Sequence, residues 1–238
     1  MKKVEELIQN HVRYKNAIVQ KKFKSKKNTV CYVTLDGKPR ILKWFAPGFT
    51  NNFKREYTIL KQASSTVLTP FAFECDERNN VILMNYIIGE NVCDVLNDEK
   101  TTISEKQRIL ILLAEWLYNF HLFFKTQDTF IIRGDSILRN FILTDRIWGV
   151  DFEESRAGNP IEDVAVLCAS LLSTDPMFTK EKVQLFRIFV RSYETLMQKK
   201  FSHINNDIAY ALLERIQWRP QDEYAIRNFA IQLRKNKW

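Results

Sequence analysis

Three polar residues within one short stretch have the side chains and the spacing for phosphate and metal chemistry. They are Asp135, Asn140 and Asp151, and they flank the short apolar runs 141–143 and 147–150. Short apolar runs bounded by turn residues predict buried strands, so we expect the three side chains to lie at strand ends, close to one another. Carboxylate and amide oxygens are the hard ligands that Mg²⁺ takes beside phosphate. The alternative is that all three are ordinary polar residues of turns between strands.

The order of these residues resembles that of the protein-kinase-like phosphotransferases, on the side of the aminoglycoside phosphotransferases and choline kinases. Residues 133–140 read RGDSILRN, where those proteins have HGDxxxxN, and residues 151–153 read DFE, as in choline kinases. The stretch is also similar to the small atypical kinase of the KEOPS tRNA-modification complex and, more distantly, to the RIO and Kdo kinases. The resemblance spans roughly residues 17–175, and Arg133 departs from it by replacing the histidine.

The resemblance implies an enzyme that moves the γ-phosphoryl group of ATP to a hydroxyl acceptor with Mg²⁺ or Mn²⁺. Asp135 and Asn140 would be the catalytic residues, with Asp135 orienting or deprotonating the acceptor. Asn140 and Asp151 would hold the metal, and Asp163 would brace the catalytic loop. The acceptor is either a small alcohol or a protein serine or threonine.

The first part of the chain has the pattern of β-strands. Three runs, 17–23, 29–35 and 39–45, are followed by 71–75 and 81–87, and Asp36-Gly37 is a strong hairpin signal. The resemblance implies that the backbone near Met84 and Tyr86 holds adenine. The loop between the first two runs, KSKKN, has no glycine with which to cradle phosphates. Its lysines are either point charges for a polyanion or a solvated basic hairpin tip.

Lys43 lies among apolar residues on both faces of its predicted strand, and a buried lysine needs an anionic partner. Glu56, in the predicted helix 51–63, is the candidate. The resemblance gives the pair the task of contacting the nucleotide phosphates. The alternatives are a lysine that reaches solvent from an edge strand and a solvated helix glutamate.

The rest of the chain has helical periodicity, at 103–125, 180–199, 203–217 and 221–235, with a helix that starts at Pro160 after the N-cap Asn159. His121 is expected to be a core or capping residue. Residues 3–14 are a further candidate helix. Only six residues separate Glu153 from Pro160, which argues against a regulated eukaryotic-type protein kinase.

These elements predict an α+β, two-lobed protein-kinase-like fold, with a small antiparallel β lobe and a mainly helical large lobe. We expect residues 1–86 to form the nucleotide-binding lobe and residues 87–238 the catalytic lobe. A length of 238 residues suits one domain of two lobes, or two small domains.

Composition limits the location and the partners. Four scattered cysteines without a CxxC motif indicate reduced thiols in a cytoplasmic protein and no zinc site. The acidic residues near the start do not suit a signal peptide, and no apolar run approaches the about 18 residues of a membrane span. The formal net charge of +8 favours polyanionic partners, such as a nucleotide, a nucleic acid or an acidic membrane surface.

Two other functions fit the same residues. A non-catalytic nucleotide-binding pseudokinase would explain the missing glycines and Arg133, whereas the intact Asp135, Asn140 and Asp151 oppose it. An RNA-associated factor acting through a basic face would explain the positive charge.

Overall fold

The computed structural model describes residues 8, 13–23, 25, 27–63 and 66–235. They form two compact units. The first contains the described residues up to 63, together with 69–88 and 151–154. The second contains 66–68, 89–150 and 155–235.

The first unit is built on a five-stranded antiparallel sheet with the order β1-β2-β3-β5-β4. The strands are β1 (Ile18–Phe23), β2 (Asn28–Leu35), β3 (Lys38–Phe45), β4 (Ala72–Asp76) and β5 (Val81–Asn85). Asp36 and Gly37 both have positive φ, at 51° and 72°, which is the backbone that a tight β2–β3 hairpin requires.

Helix α1 (Thr50–Gln62) follows β3 and buries the apolar side chains Phe53, Ile59 and Leu60. Glu56 is buried on the same helix, although its side chain is a carboxyl group. A separate apolar cluster is formed by Ile8, Tyr14 and side chains of β2, β3 and β5. The sheet and α1 therefore form a small core that holds β3, and with it Lys43, in a fixed position.

The second unit is mainly helical. Its helices are α2 (Val92–Asn97), α3 (Ile103–Phe123), α4 (Pro160–Ser173), α5 (Lys180–Met197), α6 (Ile204–Glu214) and α7 (Glu223–Arg234). Helix α3 packs against α5, α4 packs against α5 and α6, and α6 packs against α7. Helix α4 starts with a capping box between Asn159 and Glu162, with Pro160 at its first turn. Nearly all of α4 is buried, so it is the central support of this unit.

Short strands complete the second unit. Strand β6 (Glu90–Asn91) pairs with β8 (Phe141–Leu143), and β8 pairs with β9 (Ile147–Gly149). Strand β7 (Phe130–Ile132) pairs with β10 (Arg156–Gly158). The loop between β7 and β8 carries Asp135 and ends in a 3₁₀ turn, Leu138–Asn140.

The predicted α+β fold, a small antiparallel sheet and a larger helical part, is confirmed. Most predicted elements differ from the observed ones by a few residues at their ends, and the helix predicted at 203–217 stops at Glu214 and continues as a 3₁₀ turn. The boundary placed after residue 86 stays a prediction. The candidate helix at 3–14 lies outside the described residues, apart from Ile8, Arg13 and Tyr14. None of the described helices combines the length and the apolar character needed to cross a membrane.

Candidate active site

In the first unit, Lys43 is the centre of a charged cluster. Its Nζ lies 2.6 Å from Glu56 Oε2, 2.6 Å from Asp151 Oδ1 and 3.3 Å from Glu153 Oε2. The lysine is buried because β3 is an inner strand, between β2 and β5. Antiparallel pairing sets Lys43 opposite Val30 and Ile82, so its ammonium finds no water along the sheet. The predicted ion pair between Lys43 and Glu56 is confirmed.

The charges in this cluster are strongly coupled. Burial acts to lower the pKa of Lys43, but the charges of Asp151, Glu56 and Glu153 outweigh it and raise that pKa. Burial raises the pKa of Glu56 to about 7, against the opposing effect of Lys43. Burial likewise raises the pKa of Glu153. One ammonium therefore faces three carboxylates, and the cluster has a surplus of acidic groups.

The donor set suits a hard divalent cation. Oxygen atoms of Glu56, Asp151 and Glu153 all lie within 4.8 Å of one another. Asp151 differs from the other two because 42% of its side chain is exposed, against 2% for Glu56 and 11% for Glu153. Its backbone adopts a left-handed φ of 65°, which is uncommon for aspartate. Carboxylate oxygens are the ligands that Mg²⁺ and Mn²⁺ take, so the residues fit such an ion.

Two residues that end the β1–β2 loop contact the same acidic segment. Lys27 Nζ lies 2.5 Å from Glu154 Oε1, and Asn28 Nδ2 donates a hydrogen bond to Glu153 Oε2. Lys24 and Lys26 of this loop are outside the described residues. Lys27 thus has a carboxylate partner, although its side chain stays exposed, and a role of this loop in binding a polyanion stays a prediction.

The two residues predicted near adenine lie at the end of β5. Met84 is buried in the sheet, opposite Ile41 and Ala72. Tyr86 is half-buried just after the strand, and its ring stacks on Tyr32, with centroids 4.6 Å apart. Their predicted contact with a nucleotide stays a prediction.

In the second unit, Asp135 and Asn140 contact each other. Asn140 Nδ2 lies 2.9 Å from the Asp135 carbonyl oxygen and 3.1 Å from Asp135 Oδ2. The 3₁₀ turn that ends the loop brings residues five apart together, and α4 supports it, because Leu138 N donates to Ser170 Oγ at 3.1 Å. Asp135 is half-buried, so its carboxylate is oriented and still accessible.

A buried network on α4 supports the start of this loop. Asp163 Oδ2 accepts the backbone N–H of Arg133 at 2.7 Å, and Oδ1 accepts that of Gly134 at 3.0 Å. His121 Nε2 lies 2.9 Å from Asp163 Oδ2, and His121 Nδ1 lies 2.6 Å from the Tyr193 hydroxyl. Because a carboxylate only accepts, Nε2 carries a proton, and in the neutral ring Tyr193 donates to Nδ1. Burial opposes ionisation of Asp163, but the hydrogen bonds from His121 and Arg133 outweigh it and lower its pKa.

Arg133, the departure from the family pattern, is fully buried. Its Nη2 donates to the Val150 carbonyl at 2.8 Å, and its guanidinium lies 4.5 Å from the ring centre of Phe141 and 5.2 Å from that of Trp116. An arginine is accepted at this position because two aromatic faces surround its charge.

The predicted site residues therefore form two groups. Lys43, Glu56 and Asp151 are together in the first unit, whereas Asp135 and Asn140 are together in the second. The expected convergence of Asp151 with Asp135 and Asn140 stays a prediction. Sequence reasoning did not single out Glu153 or Asn28 for the first group. The acidic run 151–154 was the one signal for Glu153, and no local pattern pointed to Asn28.

No family model matches the sequence. The KEOPS complex subunit Bud32 from Pyrococcus abyssi is 25% identical over 168 residues, which cover 68% of this chain and 68% of that protein.

Solved structures show the same architecture over almost the whole chain. A protein from Ralstonia eutropha classed as an aminoglycoside phosphotransferase superposes with a TM-score of 0.69 at 13% identity, covering 92% of this chain and 93% of its own. Aminoglycoside phosphotransferase APH(4)-Ia superposes with a TM-score of 0.66 at 11% identity, covering 98% and 97%. APH(2")-IIa, solved with gentamicin, gives 0.62 at 12% identity, covering 97% and 94%. The chain has the fold of the protein-kinase-like phosphotransferases, as the sequence resemblance predicts.

Proposed function

We propose that the protein is an ATP-dependent phosphotransferase that moves the γ-phosphoryl group to a hydroxyl acceptor. The observation that supports this most is the buried Lys43, held 2.6 Å from both Glu56 and Asp151. A buried lysine with a fixed glutamate on one side and a half-exposed aspartate on the other is suited to bind phosphates. APH(4)-Ia has been solved in a ternary complex with AMP-PNP and hygromycin B, and that precedent supports nucleotide binding by this fold.

In the proposed reaction, Lys43 exchanges its contact with Asp151 for the phosphates, and Glu56 keeps the ammonium in place. Asp151 and Asn140 hold Mg²⁺ or Mn²⁺, which supplies neutralising charge to the phosphates when bound. Glu153, close to Asp151, adds a further carboxylate on that side of Lys43. Met84 and Tyr86 border the adenine. Each of these residues contributes position and charge, not a covalent bond.

Asp135 orients the acceptor hydroxyl and takes its proton. Asn140 limits the rotation of the Asp135 carboxylate through the 3.1 Å hydrogen bond. Asp163 fixes the backbone of residues 133 and 134, immediately before Asp135. The acceptor belongs to one of two classes, a small alcohol or a protein serine or threonine.

A second candidate is an atypical kinase, or a non-catalytic nucleotide-binding protein, that works through partners. The similarity to a subunit of the KEOPS complex favours it, and so does the loop KSKKN, which lacks glycine. A polyanionic or nucleic-acid partner on the basic surface, and a cytoplasmic location, stay predictions.

A screen with γ-labelled ATP and Mg²⁺ tests the proposal. The acceptors are aminoglycosides, other small alcohols, basic proteins and the protein itself, and Asp135→Asn is the matched control. Transfer by the wild type and its loss in the variant support a phosphotransferase. Tight nucleotide binding without transfer to any acceptor, and without ATP hydrolysis, favours the non-catalytic candidate.

A further inference from the structure

One arginine of the second unit is partly buried and has a buried nitrogen atom without a hydrogen-bond partner. Arg215 lies in the 3₁₀ turn Arg215–Trp218 that directly follows α6, and its Nε atom is buried. The described part of the chain offers this Nε no hydrogen-bond acceptor, and no ion pair to Arg215 occurs within that part. A buried guanidinium N–H without an acceptor is costly, so a native arginine of this kind calls for an explanation.

Arg219, the residue that directly follows this turn, has the hydrogen-bond partners that Arg215 Nε lacks. Arg219 Nε lies 2.6 Å from Asp222 Oδ2, its Nη2 lies 3.2 Å from Asp175 Oδ2, and its Nη1 donates to the Ser173 carbonyl. Arg219 thus has two carboxylates and a carbonyl, whereas the buried Nε of Arg215 has no such acceptor.

The helix that precedes Arg215 and the loop that carries Asp135 both pack against α4. Helix α6, which ends just before Arg215, packs against α4, and α4 also holds the Asp135 loop through Ser170. Burial and the charge of Arg219 lower the pKa of Arg215, and the negative charge of Asp135 acts in the opposite direction. The charges of Arg215 and Asp135 therefore interact, and Arg215 forms no ion pair within the described residues.

We propose that Arg215 binds an anionic group of the acceptor, a phosphate or a carboxylate, next to the hydroxyl that Asp135 activates. This inference rests on the proposed phosphotransferase function and names the class of its acceptor. A guanidinium has the fork geometry that binds such anions in two hydrogen bonds. Beside Asp135 it also repels polycations. Gentamicin and hygromycin B, the aminoglycosides bound in related structures, are polycations, so the acceptor of this protein differs from them in charge.

Titration calorimetry with inorganic phosphate tests the proposal on the full chain, without nucleotide or metal. The variants are Arg215→Gln, Arg215→Lys, and Arg227→Gln as a control with the same loss of charge at an exposed position. We expect wild type and Arg227→Gln to bind phosphate equally, and Arg215→Gln to bind it about 10- to 100-fold more weakly, the loss of a charged hydrogen-bonding group. Arg215→Lys should lie between them, and thermal melts establish that each variant is folded.

Equal phosphate affinity in wild type and Arg215→Gln overturns the inference, and so does the absence of millimolar binding by the wild type. The titration is then repeated with saturating AMP-PNP and Mg²⁺. Phosphate that still binds through Arg215 supports an acceptor site, whereas loss of binding assigns Arg215 to the nucleotide phosphates and overturns the acceptor role. Failure of the proposed function has a different signature: phosphate binding that depends on Arg215 in a protein that neither binds nor hydrolyses ATP.

Discussion

Lys43 Nζ lies as close to Asp151 Oδ1 as to Glu56 Oε2, at 2.6 Å in both cases. The two carboxylates are not equivalent, because Glu56 is enclosed by the core of the first unit whereas Asp151 is half-exposed. An incoming phosphate can replace Asp151 as the partner of Lys43, and Asp151 is then available to a metal ion. In the proposed reaction, the contact between Lys43 and Asp151 is therefore the part of the site that changes.

The charge of Asp151 is the first quantity to test. Asp151→Asn keeps the volume and one carbonyl oxygen but removes the charge that holds a hard divalent cation beside a triphosphate. We expect thermal melts of the wild type to show extra stabilisation by ATP with Mg²⁺ over ATP alone, and the variant to lose that increment. Exposed Asp128→Asn is the control and should keep it. A full Mg²⁺ increment in Asp151→Asn would contradict the metal-ligand role.

Asp135 acts on the acceptor in the proposed reaction, not on ATP. We expect Asp135→Ala to lower the rate of phosphoryl transfer by about 10²–10⁴-fold, the usual contribution of a general base. Nucleotide affinity should stay within about threefold, because Lys43, Glu56 and Asp151 are unchanged. Single-turnover kinetics and equilibrium nucleotide binding separate the two effects. Transfer near the wild-type rate would remove Asp135 from the mechanism.

The effects of substituting Lys43 and Glu56 on the free energy of unfolding should be coupled, because the two side chains form a buried ion pair. Lys43→Met leaves Glu56 buried without its cation, and we expect the free energy of unfolding to fall by about 3 kcal/mol. Combining it with Glu56→Gln should recover part of the loss, with a coupling energy of at least about 1 kcal/mol in a double-mutant cycle. Lys54→Met, on the exposed face of α1, is the control and should change little. Additive effects in urea unfolding would mean that the pair does not contribute as a unit.

Asp163 should make stability depend on pH in acid. Its pKa is lower in the folded protein than the ordinary value of about 3.9, so the unfolded chain binds more protons in acid. The contribution is fully present above that value and is lost as the pH falls through the folded pKa. We expect Asp163→Asn to cost about 1.5–3 kcal/mol at pH 7 and to flatten the acid part of the stability profile. Melts from pH 7 to pH 2.5 measure it, and an unchanged acid slope would contradict the assignment.

Tyr193 should act through His121 on the loop that carries Asp135. Tyr193→Phe removes the hydroxyl that lies 2.6 Å from His121 Nδ1, and we expect a loss of about 1–3 kcal/mol in stability. The ¹⁵N chemical shifts of His121 should show an Nε2–H ring in the wild type, and an altered ring in the variant. Tyr210→Phe, at an exposed position of α6, is the control. Identical His121 spectra in wild type and Tyr193→Phe would exclude this role.

Local patterns predicted most of the fold. The β2–β3 hairpin follows from Asp36-Gly37, and the start of α4 follows from Asn159 and Pro160, because turn and cap chemistry acts over a few residues. The amphipathic period predicted α3 to within a few residues. The 3₁₀ turn after α6 was missed because the apolar period continues through Ile216, beyond the residue at which the α-helix ends.

The site was predictable where a motif or a burial argument existed. Lys43 lies in an apolar strand, and Asp135 and Asn140 lie five residues apart in a recognisable loop. The contact between Asn28 and Glu153 joins residues 125 positions apart, and neither neighbourhood carries a signal for it. The partners of Arg133 were hidden for a related reason, since Trp116 and Phe141 are placed beside it by the fold of the second unit.

Gly149 links this departure from the family pattern to its surroundings. A Cβ atom at position 149 would overlap the ring of Trp116 and the guanidinium of Arg133, so the glycine leaves the space that the arginine fills. Replacing Arg133 with the smaller histidine, on its own, would empty part of a volume bordered by Trp116, Phe141 and Gly149. Because these side chains share one packed volume, we expect the effects of substitutions at 116, 133, 141 and 149 to be non-additive. Libraries that vary 116, 133, 141 and 149 together should recover folded sequences that single substitutions do not reach.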